Sequence, residues 1–527
     1  MAGVIRNRLG RICNLEGIKM ENTYKASGAR SLPGRRLALA AVAVSGLLSG
    51  CAVTAVPLTQ AEIASKAAAN MDSLDRDQEP VTKPIGLYEA MARAVKYNLD
   101  HRVEMMRVTL SQKQLRNVSA QMLPQLVANA GYAGRDRFDA SYSRTLFSGT
   151  RSAEPSTSSE KQTLAADLTF SWHVLDFGLS YVRAQQAADK ALVAEEQKRK
   201  VANQIMEDVR TAYWRAISAE RLLNGLNALE ARVRETQRKN RALRNAGQAS
   251  PLVSLTYERE LVDIKRKIQK LERELTTARH KLAALMNLKP GTKFTLVVPR
   301  REMVDLKLAA SPDEMMQVAL NNRPEFREAL YRGRINEKEA RAALLEVLPG
   351  AQLYAGLNID TNDLLFSTDW VNWGAKVGWN LMRVMQYPAA KASIEADGKL
   401  LDAQAKALTM AIMTQVFVAR TRYEHLRREA ATAAEYYNVQ RKILGQLKAQ
   451  ANANATSEQN LIREEMNTLI AAVEFDIAYA DMQNAFGAVY TSLGADPVDN
   501  PVDTGAPVDN IASVLRDTWR KRGDMEG

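Results

Sequence analysis

The sequence predicts an α+β membrane protein in which one supersecondary unit is used twice. Three observations carry this: the chain aligns with itself, two long stretches nearly lack Gly and Pro, and short alternating segments lie beside them. Ala94-Val-Lys-Tyr-Asn98 falls on Ala319-Leu-Asn-Asn-Arg323 at an offset of 225, as does Leu123-Pro124 on Leu348-Pro349. Trp172 falls on Trp379, Glu258 on Glu465 and Leu285-Met286 on Ser492-Leu493, all at an offset of 207. The copies thus differ by 18 residues, placed between Pro124 and Trp172. Self-similarity of this kind marks a pseudo-symmetric fold.

The front end reads as an address. Arg30, Arg35 and Arg36 precede an apolar run from Leu37 to Leu48. That run is shorter than the ~20 residues a membrane helix needs, and it fits the apolar core of a secretion signal. It ends in Leu48-Ser49-Gly50-Cys51, which resembles a bacterial lipobox. The resemblance implies cleavage before Cys51, acylation of that cysteine by a palmitate-type lipid and, with Ala52 following, sorting to the outer membrane. Met1 and Met20 both remain as possible starts. Cys13 leaves with the signal, so neither a disulfide nor thiolate chemistry is expected. The chain is +12, but residues 1–50 hold eight Lys/Arg and two Glu, which leaves the remainder near +6. The alkaline balance is therefore partly a targeting feature, and no nucleic-acid partner is expected.

Residues 179–246 and 389–449 are rich in good helix formers. In the first, Ile205, Val209, Ala212, Ala216, Ala219, Leu222, Leu226, Leu229 and Val233 step by three and four, close to a heptad seam. A helix of ~65 residues is about 100 Å long. Shorter helices over 87–121 and 252–287, and over 312–345 and 456–493, match each long one in summed length. Each half is expected to pair one continuous helix with one split helix. The Ala-rich seam buries little area per residue, so lateral packing into a larger assembly is expected.

Leu-Pro at 123–124 and 348–349 ends a helix in each half. Alternation follows. Leu164, Ala166, Leu168, Phe170 and Trp172 interleave with polar or small residues, as do Val371, Trp373, Ala375, Val377, Trp379 and Leu381. Opposing strands are expected over 125–135 and 350–360, giving hairpins at 125–173 and 350–381. Period two over ~10 residues is the pattern of a transmembrane strand, and aromatic residues such as Phe170, Trp172, Trp370, Trp373 and Trp379 fit a membrane-facing girdle. The loops, 138–162 and 361–369, absorb the 18-residue difference. Four strands cannot close a barrel, and open edges are not tolerated in lipid, so copies must share one.

In these features the chain resembles the TolC-type outer-membrane efflux proteins over about 85–495. The residues concerned are the repeated helix starts, the paired Leu-Pro junctions, Trp172-His-Val-Leu-Asp-Phe-Gly178, and the turn Asn245-Ala-Gly247-Gln-Ala-Ser250. The resemblance implies a trimeric TolC-like assembly with two internal repeats. A shared 12-stranded transmembrane barrel, four strands per chain, would stand on a long coiled-coil helical barrel in the periplasm. It implies a homotrimer in outer-membrane lipid, lipid-anchored, with a periplasmic extension. A periplasmic adaptor (membrane fusion) protein and an inner-membrane pump of RND or ABC type would be its partners. The organisation expected is a removed signal at 1–50, a lipidated linker at 51–84, a first repeat at 85–290, a connector at 291–311, a second repeat at 312–495 and a flexible tail at 496–527. A short strand within 294–298 and a short helix within 511–520 are the local expectations there.

The periplasmic tip is where the helix pairs turn over, and Asn245, Gly247, Ser250, Asn452, Asn454 and Ser457 are the expected adaptor contacts. Family members carry Gly in both turns and Asp after the second. Here the second turn is Ala451-Asn-Ala-Asn-Ala455, and Gln459 and Ile462 fall where carboxylates often sit. The candidate gate residues are therefore Glu458 and Gln459.

No enzymatic constellation is present. His101, His173, His280 and His425 lack metal-ligand spacing, and there is no phosphate loop or nucleophile elbow. Met315-Met316 and Met382 to Met385 read as packing rather than as a copper site. No cofactor is expected beyond the lipid on Cys51. The function expected is the exit duct of a tripartite efflux system, a passive conduit. The alternatives are the outer-membrane component of type I protein secretion and a lipid-anchored periplasmic coiled-coil scaffold without a pore.

Overall fold

The computed structural model describes residues 56–74, 76, 78–173, 176–248, 250–301, 311–453, 457–495 and 503–521. The expected signal, the lipidation site Cys51 and the turn residue Asn454 lie outside the described residues, as does the side chain of Gln459. The chain divides into two units, Met1–Met71 and Asp72–Gly527.

In the first unit the expected linker contains a helix, α1 (Gln60–Ser73), none of whose residues is buried. Thr59 starts it: its Oγ1 accepts from the Glu62 amide at 3.2 Å, and its own amide donates to Glu62 Oε2 at 2.9 Å. This reciprocal capping box satisfies amides that a helix start leaves unpaired.

The second unit runs through α2 (Leu87–Tyr97), α3 (Leu99–Ala120), β1 (Gln125–Gly134), β2 (Ala140–Ser141), β3 (Ser156–Thr157), β4 (Gln162–His173) and α4 (Asp176–Asn245). It continues through α5 (Pro251–Leu285), α6 (Pro312–Asn322), α7 (Pro324–Leu345), β5 (Gly350–Asp360), β6 (Asp369–Gly378), α8 (Leu381–Asn452), α9 (Glu458–Ser492) and α10 (Val508–Lys521). Apart from the small hairpin β2–β3 in the longer loop of the first half, the two halves match element by element. Helices α2 and α6 have 11 residues each, α3 and α7 have 22, and α5 and α9 have 35. The long helices α4 and α8 have 70 and 72.

The helices expected over 87–121 and 312–345 are each broken in two. Asn98 is extended, with φ −61° and ψ 129°, and its side chain accepts from the amides of Asp100 and His101. Arg323 takes the same conformation before Pro324, because proline disfavours helical geometry in the residue it follows. Helix α8 begins earlier than expected and carries Pro388 inside it. Asn380 sets the start by accepting from the Met382 amide at 3.2 Å, and Pro388 removes one internal hydrogen bond.

Each long helix packs on its split partner, α4 on α3 and α5, and α8 on α7 and α9. Helix α4 also packs on α7 and α9, which joins the halves. All nine seam residues expected on α4, from Ile205 to Val233, are buried. On α5 the facing residues Leu261, Ile268, Leu275 and Leu282 recur every seven and are buried, the spacing of a coiled-coil seam. Ion pairs brace the sides: Asp189 of α4, 2% exposed, holds Arg334 and Lys338 of α7, and buried Asp476 of α9 holds Arg221 and Arg301.

The tail expected to be flexible is docked over its described part. Helix α10 buries Val508, Ile511, Ala512, Leu515, Thr518 and Trp519 and packs on α2. Steps of four from 511 to 519 put one apolar stripe on one face, and that stripe drives the docking. Lys83 pairs with Asp509 at 2.6 Å, and the Val508 amide donates to Glu79. The strand expected in the connector reduces to a single parallel bridge, Ile85 to Leu296, with Phe294 and Leu296 buried.

Candidate functional site: an unclosed sheet and two helical turns

Strands pair antiparallel in the order β1-β4-β5-β6, so the outer edges are β1 and β6. The register sorts the side chains. Leu126 faces Phe170, which faces Ala355, which faces Trp373; Ala128, Leu168, Leu357 and Val371 form the next row. Trp172, Leu353 and Ala375 make another, and Tyr132 pairs with Leu164. Directly paired residues share a face, so these rows build one continuous apolar surface. The opposite face reads Asn129, Asp167, Asn358 and then Val127, Thr169, Gly356, Asn372. Its polar groups bind one another: Asn129 Nδ2 and Thr169 Oγ1 donate to Asp167 at 3.0 and 2.8 Å, and Asn358 Nδ2 donates to Asn372 at 3.1 Å.

Among the described residues nothing covers the apolar face. Leu126 is 65% exposed, Val371 63% and Trp373 81%. Phe170 and Trp172 stand on this face. Trp379 follows β6, with its indole N–H donating to the Val347 carbonyl at 2.9 Å. Trp370 departs from the girdle expectation. It pairs with Asn358 on the polar face, because 370 and 371 have opposite parity along the strand. Met382 and Met385, expected to pack, are exposed at the base of α8, as are Met410, Phe417, Val418, Tyr436 and Val439 along it. Exposed apolar stripes of this extent mark surfaces that meet a partner or lipid. Among the described residues no helix is long and apolar enough to cross a membrane.

The other end of the unit holds the turns. Helix α4 ends at Asn245; the Gly247 amide donates to Arg244 O at 3.1 Å and the Gln248 amide to Leu243 O at 3.0 Å. Gly247 has φ +69°, the left-handed conformation that closes a helix most cheaply with glycine. Ser250 precedes Pro251 without a side-chain cap bond. In the second turn the segment after Asn452 reaches Ser457, whose side chain accepts from the Asn460 amide at 3.3 Å. Asn245, Gly247, Ser250, Asn452 and Ser457 are all exposed, as is Glu458. Ile462 is buried between the helices and faces no opening.

Carboxylates pin the turns from inside. Arg241 and Arg244 both bind Glu258, at 2.6 Å each. The equivalent pair in the second half is Lys448 with Glu465, at 3.6 Å. Between the halves, Arg232 binds Glu465 and Arg463 binds Glu260 at 2.8 Å. Asn240 and Ser254 form a buried reciprocal pair, at 2.9 and 3.1 Å. Arg244 and then Arg241 hold the Glu258 carboxyl below its usual range. Burial, with Glu458 and Glu260 nearby, pushes the Tyr257 hydroxyl up to about 12. A groove of about 500 Å³ between α5 and α9 is lined by Arg259, Lys267 and Arg463 together with the carboxylates of Glu260 and Asp263. These links between halves were not legible in the sequence, although the recurrence of Glu258 as Glu465 pointed to the positions.

Among the described residues no cluster of His, Cys, Asp or Glu could hold a metal ion. His101 is buried, which lowers its pKa, and its Nδ1–H donates to the Val95 carbonyl at 2.8 Å.

Solved structures similar to this chain include outer-membrane channels. CmeC of Campylobacter jejuni matches with a TM-score of 0.63 and 14% identity, over 84% of this chain and 95% of that one. CusC matches with 0.60 and 17%, over 80% and 96%. MtrE of Neisseria gonorrhoeae, in its open state, matches with 0.60 and 16%, over 78% and 89%. No protein-family model and no curated protein matches the sequence. At these identities the likeness is one of fold, and the fold is the TolC-type fold that the repeats and strands led us to expect.

Proposed function

We propose that the chain is the outer-membrane exit duct of a tripartite export system, a lipid-anchored member of the TolC-type channels. The carrying observation is the four-stranded sheet, apolar on one face, polar on the other, with two unpaired edges. In lipid such edges must find partners. Three copies joining β6 to β1 close a 12-stranded barrel, its apolar rows to lipid and Asp167, Thr169 and Asn358 to the lumen. The exposed stripe of α8 then meets the next copy, continuing the duct as a helical barrel in the periplasm. The helix ends at Asn245, Ser250, Asn452 and Ser457 border the periplasmic entrance, where an adaptor docks and an inner-membrane pump delivers small solutes. The chain does no chemistry; transport is driven from the pump. A scaffold without a pore would leave the apolar face in water.

The test is twofold. Purified protein should migrate as a heat-modifiable trimer and give single-channel conductance in planar bilayers. A water-soluble monomer with Val371 and Trp373 packed inside it would overturn the reading. Acylation is read separately: a palmitate analogue should label the wild type and not Cys51→Ser.

A further inference from the structure

The two turns occupy equivalent places in the halves but do not carry equivalent charge. The turn end of α4 and α5, residues 226–270, holds eleven Lys/Arg and five Asp/Glu. The same stretch displaced by 207, residues 433–477, holds four and six. The first helix pair is therefore +6 and the second −2.

Pairing sharpens the asymmetry. Every carboxylate of the first stretch is met by a cation: Glu230 by Arg234, Glu235 by Lys239, Glu258 by Arg241 and Arg244, Glu260 by Arg463, and Asp263 by Arg266 and Lys267. Arg238, Arg259 and Lys270 are exposed and make no ion pair among the described residues. Arg259, Arg266 and Lys270 step by seven and four along α5 and share one of its faces. At the start of α9 the one exposed acid is Glu458, followed by Gln459 and the buried Ile462.

From this the geometry points to an entrance that favours anions, so that the duct's cargo class is negatively charged solutes. The inference rests on the duct reading above. Three copies bring three basic helix pairs around one axis. Fixed charges in a confined mouth raise the local concentration of the opposite ion, over a screening length of about 8 Å at physiological salt.

The test uses the full trimer in planar bilayers under a KCl gradient. It is run on wild type and on Arg232→Gln/Arg463→Gln, which loosens the turns while removing two cations. The chloride-to-potassium permeability ratio should exceed one at low salt and approach one near ~1 M, where screening shrinks to about 3 Å. Arg238→Glu/Arg259→Glu/Lys270→Glu takes the two stretches together from +4 to −2 per chain, and should carry the ratio below one. Arg137→Glu, in the loop at the opposite end, should leave its sign unchanged. A cation-preferring wild type overturns the inference while leaving the duct standing. So does a ratio indifferent to the triple reversal, which would assign these cations to a partner's surface. A folded trimer that conducts in neither background overturns the duct itself and the inference with it.

Discussion

Leu357 and Asn358 are neighbours on β5 that stand on opposite faces of the sheet. Leu357 pairs with Leu168 near the middle of β4 and with Val371 of β6, on the uncovered apolar face. Asn358 pairs with Asp167 on the polar face. In the proposed barrel an arginine at 357 would place a guanidinium in hydrocarbon near the bilayer midplane, at a cost of about 2–4 kcal/mol. With three copies sharing one barrel, as proposed, the trimer would lose roughly 6–12 kcal/mol. An arginine at 358 stands directly across from Asp167, and an opposite-charge pair there contributes about 0.2–1 kcal/mol favourably. Leu357→Arg should therefore abolish or sharply lower the temperature at which the trimer survives detergent, while Asn358→Arg should leave it within a few degrees. The assay is heat-modifiable migration after refolding into vesicles. Equal tolerance of both substitutions, or greater damage from Asn358→Arg, would refute the assignment of faces.

Trp519→Ala should cost about 3–5 kcal/mol locally, because the ring lies 5.8 Å from Tyr490 and under the Arg210 guanidinium at 4.4 Å; limited proteolysis should release α10 with the sheet intact. Gly494→Ala should destabilise by roughly 1–3 kcal/mol, since φ is +71° and a new Cβ would lie 2.6 Å from the Arg323 amide nitrogen; a thermal midpoint equal to wild type would count against this. The depressed pKa of Glu258 gives a pH step at the first turn. Its contribution is full above the ordinary value of 4.5 and is lost as pH falls through the lowered one. Hydrogen exchange over 241–258 should rise in that acid window, and Glu258→Gln should show the fast exchange at neutral pH.

The resemblance to known channels lies in fold at identities of 14–17%, where shared periodicity outlasts shared residues. The seam from Ile205 to Val233 and the alternation from Leu164 to Trp172 are local patterns of this kind, with periods of 3.5 and 2 that any sequence must keep to bury one face. The stripe Ile511, Leu515, Trp519 is of the same kind, but the Pro- and Asp-rich segment before it led the whole of 496–527 to be read as a flexible tail, and the docking of its helix was missed.

The sequence by itself determined the two copies, the long helices with their seams, the strands and the sidedness of each strand, because these follow from one-dimensional spacing. The parity of Trp370 and the helix breaks at Asn98 and Arg323 also have local causes, which the sequence reading missed. Tertiary structure alone decided which β4 residue meets which β5 residue and that Arg232 and Arg463 reach across to Glu465 and Glu260. The physical reason is distance along the chain: pairing of groups more than 200 residues apart, like Arg463 with Glu260, depends on how whole helices are packed, and no local spacing encodes that.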